Sequence, residues 1–227
     1  MKTLLIISHP DRLGSASQQY LKDSLPQTDQ VTVHHLETIY PEGVIDVKAE
    51  QALVQAHDRI LLQFPCYLYQ APALLKEWQD QVLSEHFAYG ANGDKLKGKE
   101  LGLVMVIGAA EKEYQVGGRE GFTISALTTP FQALAKKTQM QFLKPFLIFQ
   151  FQYMREKEKM QLLISYQQYL TVRNFDSLKA KEAWYLEKLQ QIKTTEENRF
   201  VLDKIEDVIH ETRESIEEIH RYWDGNL

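Results

Sequence analysis

Short apolar runs alternate with amphipathic stretches along about the first three quarters of the chain. Such runs are typical of strands that are covered on both faces, and they predict strands at 3–8, 59–64, 101–107 and 146–153. Residues 31–36 alternate instead and predict a further strand. Between the runs, apolar residues recur at helical spacing and predict helices at 18–25, 46–57, 73–83, 125–137 and 158–170. Strand and helix therefore alternate five times.

This alternation favours an α/β fold, with helices on both faces of a parallel sheet. Five strands with short apolar runs suit the flavodoxin-like strand order, so we expect a flavodoxin-like, five-stranded parallel sheet sandwiched by helices. Ligands bind beyond the carboxyl ends of the strands in such sheets. The segments after residues 8, 64, 107 and 153 are therefore the candidate functional loops.

The last quarter of the chain has a different pattern. All seven prolines lie before residue 146, and residues 176–227 are rich in Glu, Lys and Leu, which predicts helix. Residues 1–175 carry 18 acidic and 18 basic side chains, whereas 176–227 carry 13 and 8, so the whole net charge of −5 belongs to the tail. We expect a first domain over 1–173 and a helical C-terminal extension over 174–227.

Two patterns in this extension indicate how its helices are arranged. Thr194 and Glu197 have the spacing of a helix-capping box. Apolar residues with two polar interruptions then recur at steps of four and three, at Val201, Ile205, Val208, Thr212, Ser215, Ile219 and Tyr222. The extension is either a helical hairpin packed on its own domain or a helix that forms a dimer or binds a partner.

Composition and charge exclude several classes of function. The mildly acidic balance argues against nucleic-acid binding, which needs clustered Lys and Arg. A single cysteine, Cys66, excludes an internal disulfide and a cysteine-based zinc site, and the seven histidines show no metal-ligand pattern. No apolar run reaches the roughly 18 residues of a membrane helix, and no signal peptide is recognisable. We therefore expect a cytoplasmic protein without membrane insertion.

The first candidate loop joins a strand to the N-terminus of a helix and carries two hydroxyl side chains, Ser15 and Ser17. Free backbone N–H groups and the helix dipole make such a terminus a phosphate site. The loop lacks both common nucleotide-binding glycine patterns. Phosphate binding is one interpretation, and simple capping of the helix is the other.

Two further loops contain unusual residues for solvent-facing segments. The loop at 64–72 contains aromatic residues and prolines and suits a flat wall for an aromatic ring, although it could instead bury its own rings or contact a second subunit. The loop after residue 107 begins with small residues, which allow close approach of a ligand to the backbone. Tyr114 and Arg119 follow at a distance that permits return to the same pocket.

Together these loops resemble the NAD(P)H:quinone oxidoreductase family of flavodoxin-like proteins. The resemblance is nearest to its bacterial branch of stress-response oxidoreductases and ancillary proteins of potassium-efflux systems. It covers residues 1 to about 172, and its motifs lie at 8–10, 64–80, 87–90, 96–99, 111–118 and 129–133. The run at 64–80 is the specific part.

The resemblance implies an enzyme that binds FMN, or FAD in some branches. Such an enzyme transfers two electrons as hydride from NAD(P)H to a quinone or similar acceptor by a ping-pong mechanism, and it is a homodimer. Carried over by position, the flavin phosphate and ribityl chain would contact His9, Ser15, Ala16, Ser17 and Gln18. The two edges of the ring would contact Pro65, Cys66, Tyr67 and Leu68, and Val106, Ile107, Gly108 and Ala109. Tyr114 and Arg119 are the expected catalytic residues, which stabilise charge at the flavin.

Some positions depart from the family pattern. Val106 and Ile107 stand where relatives carry hydroxyl side chains, and Leu68 stands where many carry Trp. Some relatives have a histidine near Arg119, and arginine does not exchange protons in the same way. These departures, together with the long acidic tail, support an alternative hypothesis: a regulatory flavodoxin-like subunit whose helical tail binds a partner such as an ion-efflux protein.

Overall fold

The computed structural model describes residues 1–11, 15–192 and 196–224. Contacts divide the chain into two compact units, Met1–Thr171 and Val172–Leu227. The first unit contains the sheet, and the second contains helices. None of the described helices combines the length and the apolar character that a membrane crossing needs.

The described residues form six strands, which pair in parallel in one sheet. Their bounds are β1 Thr3–Ile7, β2 Val31–His35, β3 Arg59–Pro65, β4 Glu100–Ile107, β5 Gln141–Phe142 and β6 Phe146–Phe149. The order is β2-β1-β3-β4-β5, and β6 also pairs with β4. This is the flavodoxin-like order, so the predicted fold class is confirmed.

The predicted fifth strand over 146–153 is wrong in its bounds. Its counterpart consists of β5 and β6, which pair with opposite ends of β4. Three residues of the interrupted strand face two residues of β4, and the last of the three is Pro145, which has no N–H for the sheet. At the other end, Gln150 adopts φ 48° and closes β6, so residues 151–153 form a 3₁₀ turn.

The helices of the first unit lie between successive strands, except the last, which follows β6. Their bounds are α1 Ala16–Asp23, α2 Leu36–Ile39, α3 Val47–Gln55, α4 Ala73–Val82, α5 Ile124–Leu127, α6 Thr129–Lys137 and α7 Glu156–Thr171. The short α2 has no counterpart in the sequence-based prediction. The predicted helix over 125–137 is two helices, because the backbone departs from helical geometry at Thr128, two residues before Pro130.

Both faces of the central strands are buried. Leu4, Ile6, Leu62 and Phe64 lie in the main apolar cluster with residues of α3, α4 and α6. Near the amino ends of the strands, the fully buried Arg59 donates from Nε to Glu100 Oε2 (2.6 Å). Its guanidinium also donates to a backbone carbonyl of α7. This buried arginine and its carboxylate partner therefore lie at the amino edge of the sheet, opposite the edge from which the candidate loops emerge.

The second unit contains α8, Leu178–Gln191, and α9, Glu196–Asp224. The apolar stripe predicted from the heptad spacing lies on α9, and its apolar members are exposed by 42–71%. Thr194 of the predicted capping box lies outside the described residues, so the box itself stays a prediction. Helix α9 therefore has an apolar face open to solvent.

A buried carboxylate ties β2, α3 and α4 together. Glu50 of α3 is 1% exposed and accepts hydrogen bonds from Trp78 Nε1 (2.7 Å), Tyr40 OH (2.5 Å) and His34 Nε2 (2.6 Å). Burial alone raises the pKa of a carboxyl, but the three donors outweigh it and hold the pKa of Glu50 below its ordinary value. The ionised form is therefore the one that the fold stabilises.

We predict that Glu50→Gln destabilises the protein by roughly 2–4 kcal/mol, because the introduced NH₂ group faces groups that donate. The lowered pKa means that the unfolded state binds more protons, so this stabilisation is complete above about pH 4.5 and is lost as the pH falls below it. Urea unfolding at several pH values measures both effects. Tyr40→Phe, which removes one donor, serves as the milder control. If Glu50→Gln lost stability at low pH to the same extent as the wild-type protein, Glu50 would not be the group responsible.

Candidate functional site

Three loops meet at the carboxyl edge of the sheet because β1, β3 and β4 are neighbours in register there. Ile7 pairs with Gln63, and Pro65 pairs with Val106. Backbone bonds continue past the strand ends, from Ser8 N–H to Gln63 O (3.0 Å) and from Cys66 N–H to the carbonyl of Val106 (2.9 Å). The loops beginning near residues 8, 65 and 107 therefore start side by side.

An aromatic contact links the first two of these loops. The rings of His9 and Tyr67 meet edge to face with centroids 6.3 Å apart. His9 is 4% exposed, and its Nδ1 accepts from Asp11 N–H (3.1 Å). Burial lowers the pKa of His9, against the opposing effect of Asp11. At neutral pH the imidazole is therefore neutral, with its proton on Nε2.

The hydroxyl-bearing end of the first loop lies at the N-terminus of α1. Ser15 is the N-cap residue, and its Oγ accepts from Gln18 N–H (3.4 Å) and lies 3.1 Å from Ser17 Oγ. Ala16 is exposed beside them. Gln18 is 7% exposed; its Oε1 accepts from Gln63 Nε2 (2.8 Å), while its Nε2 has no partner among the described atoms. Two hydroxyls and a buried amide donor thus cluster at a helix N-terminus.

The second loop contains a strained two-residue turn. Tyr67 and Gln70 exchange both backbone hydrogen bonds, at 3.1 and 2.9 Å. Leu68 and Tyr69 between them have φ of 44° and 67°, the left-handed region that such turns usually fill with Asn and Gly. Each bulky residue there costs roughly 1–2 kcal/mol. The turn holds Leu68 91% exposed at its tip.

Pro65 and Cys66 form the base of that turn. Pro65 is the buried last residue of β3, and Cys66 is half-buried. Burial raises the pKa of the Cys66 thiol; a hydrogen bond from the backbone of Tyr69 lowers it, and the charge of Glu120 raises it further. The cysteine is therefore a neutral thiol rather than a nucleophilic thiolate.

The third loop presents mainly its backbone. Ile107 is 1% exposed and belongs to the core, so its side chain points away from the edge, whereas Val106 and Ala109 are partly exposed. Gly108 is exposed, and a Cβ added there would meet nothing within 4 Å. Open space therefore lies directly beside the main chain of residue 108.

The two expected catalytic residues lie in different surroundings. The Tyr114 ring packs 6.1 Å from that of Phe149, and its pKa is raised first by burial and then by the charge of Glu120. The Arg119 side chain is 89% exposed, with its Nε 3.8 Å from Glu113 Oε2. The phenol lies near the three-loop edge, whereas the guanidinium extends into solvent.

Glu120 is a site residue that the sequence analysis missed. Its Oε2 accepts from Tyr69 OH (2.8 Å), and its charge raises the pKa of Cys66, Tyr69 and Tyr114. It lies between two glycines in a run without helical or strand periodicity. Nothing in that spacing identifies its partner, which is 51 residues earlier.

Comparison with known proteins identifies the fold family of the chain. A model of the flavodoxin-like fold family matches residues 1–170. The chain belongs to this flavodoxin-like family. Among curated flavodoxin-like relatives, an uncharacterized NAD(P)H oxidoreductase, YrkL of Bacillus subtilis, is 47% identical over 146 residues, which are 64% of this chain and 84% of the relative. The glutathione-regulated potassium-efflux system ancillary protein KefG of Cronobacter sakazakii is 40% identical over 148 residues, which are 65% of this chain and 80% of the relative.

Two solved flavodoxin-like structures are also similar. An NADPH-quinone reductase from P. pentosaceus has a TM-score of 0.71 and 42% identity, covering 75% of this chain and 98% of its own. General stress protein 14 of Treponema denticola, solved in complex with FMN, has a TM-score of 0.68 and 36% identity, covering 75% of this chain and 96% of its own. The resemblance found in the sequence motifs is confirmed.

We predict that Leu68→Asn stabilises the flavodoxin-like protein by about 0.5–1 kcal/mol, because Asn tolerates the left-handed backbone better than Leu. Val116→Asn is the matched control: Val116 is 95% exposed in the neighbouring loop and has an ordinary φ, so no gain is expected there. Urea unfolding measures both variants. Equal effects in the two would show that the turn stores no strain.

Proposed function

We propose that the protein is a flavin-dependent NAD(P)H oxidoreductase that uses FMN to pass two electrons from NAD(P)H to a quinone or similar acceptor. The observation that carries this proposal is the convergence of the three loops at one sheet edge. The relatives add support, because they include an NADPH-quinone reductase and a protein in complex with FMN.

The phosphate end of FMN fits the N-terminus of α1. The hydroxyls of Ser15 and Ser17 lie 3.1 Å apart at that terminus, where the helix dipole favours an anion. The unpartnered Nε2 of Gln18 adds a donor that rotation of the side chain would turn towards the phosphate or ribityl chain. Three donors and a helix dipole are a donor set suited to a phosphate ester.

The ring end of FMN fits the space between the second and third loops. Cys66, Tyr67 and Leu68 would contact one edge of the isoalloxazine, and the open space beside Gly108 accommodates the other. Because Val106 and Ile107 have no hydroxyl groups, the polar contacts from this loop would come from its backbone. The departure from the family pattern would therefore replace side-chain donors with backbone donors and would not remove the ring site.

Bound FMN would supply the reversible acceptance of two electrons, which no protein side chain provides. The protein would stack against the ring, exclude water and fix the surrounding charges. Tyr114 remains protonated well above neutral pH, so its phenol would donate a hydrogen bond at the ring. The exposed Arg119 has no comparable support from the geometry, and its catalytic role remains a prediction from the resemblance alone.

A second copy of the chain fits the surroundings of this site. Leu68, Val116 and Phe122 are 91%, 95% and 61% exposed on the loops that form it. Apolar side chains grouped at a site commonly mark a subunit interface. We therefore propose a homodimer that operates in the cytoplasm, where the free thiol of Cys66 stays reduced. Light scattering that returns a monomer would exclude the dimer.

The phosphate site predicts the effect of Ser15→Asp. Aspartate caps helices as well as serine, so the fold is kept, but its charge would repel the phosphate, and we expect FMN affinity to fall at least 100-fold. Ser177→Asp is the matched control, because Ser177 is the N-cap of α8 and accepts from Ala180 N–H in the same way. Quenching of flavin fluorescence on titration measures both dissociation constants.

The function itself is tested by loading the protein with FMN under anaerobic conditions. We expect a yellow protein that bleaches with NADPH and recovers its colour with a quinone. A protein that takes up no FMN at micromolar concentration refutes the oxidoreductase proposal. Equal loss of FMN affinity in Ser15→Asp and Ser177→Asp would show that the phosphate does not bind at the N-terminus of α1.

A second candidate function is partner binding through the tail. The apolar stripe of α9 is exposed, with Val208 at 59%, and the helix lies beyond the part of the chain that the family model matches. KefG, a relative, is an ancillary protein of a potassium-efflux system. We propose that α9 places its stripe on a partner protein such as a potassium-efflux transporter.

For this partner-binding function we predict that Val208→Glu abolishes co-purification with a co-expressed potassium-efflux transporter. A buried glutamate would face an apolar contact without a compensating donor. His210→Glu adds the same charge on another face of α9 and is expected to leave binding unchanged. If both variants still co-purify with the transporter, the stripe is not the binding surface. If neither co-purifies, general repulsion by negative charge explains the loss.

A further inference from the structure

The strained turn at 67–70 is fastened at two points. At its base, Cys66 N–H bonds to the carbonyl of Val106. At its tip, Tyr69 OH donates to Glu120 Oε2 at 2.8 Å. Leu68 is almost fully exposed and contributes little packing. Because two adjacent left-handed residues favour opening of the turn, the bond between Tyr69 and Glu120 is an important restraint on its tip.

The carboxylate of Glu120 is itself held by its own loop. The backbone N–H of Glu120 donates to the carbonyl of Glu113 (3.2 Å). The backbone N–H of Arg119 donates to the side chain of the same residue, at Glu113 Oε2 (3.1 Å). Gly121 follows at φ 70°, with its N–H bonded to Gly118 O (3.2 Å). The loop therefore fixes the direction of residue 120 through its main chain, and the carboxylate reaches across to the turn.

We propose that Glu120 is a positioning residue with two effects. Through Tyr69 it holds the strained turn against the loop that carries Tyr114, and it places a fixed negative charge beside the edge where the ring would bind. This inference rests on the proposed function, since it assigns a task to the same site. It differs from the sequence-based expectation, which placed a positive charge there through Arg119.

The second effect follows from the neighbours of the carboxylate. The charge of Glu120 acts on Cys66, Tyr69 and Tyr114, which belong to both loops of the ring site. Arg119 extends into solvent and lies nearer to Glu113, so it compensates this charge weakly. Reduction of FMN by two electrons with uptake of one proton adds one negative charge to the ring. A fixed carboxylate beside the ring therefore favours the oxidised state.

Two substitutions separate the two effects. Glu120→Gln removes the charge but keeps an oxygen that accepts from Tyr69 OH, whereas Tyr69→Phe removes the hydrogen bond and keeps the charge. Glu111→Gln is the control, because Glu111 is an exposed carboxylate in the same loop. Amide hydrogen exchange at Tyr67 and Gln70 in FMN-free protein reports the turn, and the midpoint potential of the loaded protein reports the charge.

In FMN-free protein, we expect Tyr69→Phe to speed exchange at Tyr67 and Gln70 about tenfold, and Glu120→Gln to speed it less than threefold. In loaded protein, Glu120→Gln is expected to raise the ratio of reduced to oxidised FMN affinity roughly tenfold. For a two-electron couple this is a shift of about 30 mV to more positive potential. Tyr69→Phe and Glu111→Gln are expected to shift the potential by much less.

The outcomes distinguish this inference from the proposed function. Unchanged exchange in Tyr69→Phe would overturn the positioning role, whether or not FMN binds. An unchanged or more negative potential in Glu120→Gln would overturn the charge effect while leaving the oxidoreductase proposal intact. Failure of the wild-type protein to bind FMN would refute the proposed function, and the exchange experiment would still test whether Glu120 positions the turn through Tyr69.

Discussion

The parallel pairing of β1, β3 and β4 is the constraint on which the rest of the structure depends. Strands covered on both faces have no free surface of their own, so any ligand chemistry must be carried by loops at a strand end. The buried pair of Arg59 and Glu100 occupies the amino edge. At the carboxyl edge, the register places Pro65 beside Val106, and this adjacency brings residues 41 positions apart into one site.

Periodicity was sufficient to predict most of the first unit, because each central strand is mostly apolar and most of its helices have one apolar face. It failed at the last strand. Residues 146–149 are continuously apolar, and residues 149–153 alternate aromatic and polar side chains, a pattern that also suits a strand. The extra residue before Pro145 and the left-handed backbone of Gln150 nevertheless interrupt the pairing, and the hydrophobic pattern reveals neither feature. The sequence pattern also did not predict the hydrogen bonds of Glu50 to Trp78 and Tyr40, because a glutamate within a helix is typical of a solvated face.

At the site, topology located the loops, while the direction of each side chain depended on the pleat and on long-range contacts. Ile107 is a clear example: it belongs to the predicted segment, yet strand alternation turns its side chain into the core. Glu120 is the converse, since its neighbour Arg119 was chosen from the sequence and extends into solvent. A one-residue difference in an irregular loop reverses the sign of the charge that faces Tyr69.

The distribution of charge between the two units has a consequence for encounters with ligands. Because 18 acidic and 17 basic side chains nearly balance over residues 1–171, the sheet unit has almost no net charge to repel an anionic nucleotide or phosphate ester, and local donors such as Ser15 act without a strong long-range opposing field. The tail carries the surplus of negative charge, and at physiological salt its field decays over roughly 8 Å. Residues 176–227 therefore contain both the net charge and the apolar stripe of α9, whereas the donors of the candidate site belong to a unit whose own charges nearly cancel.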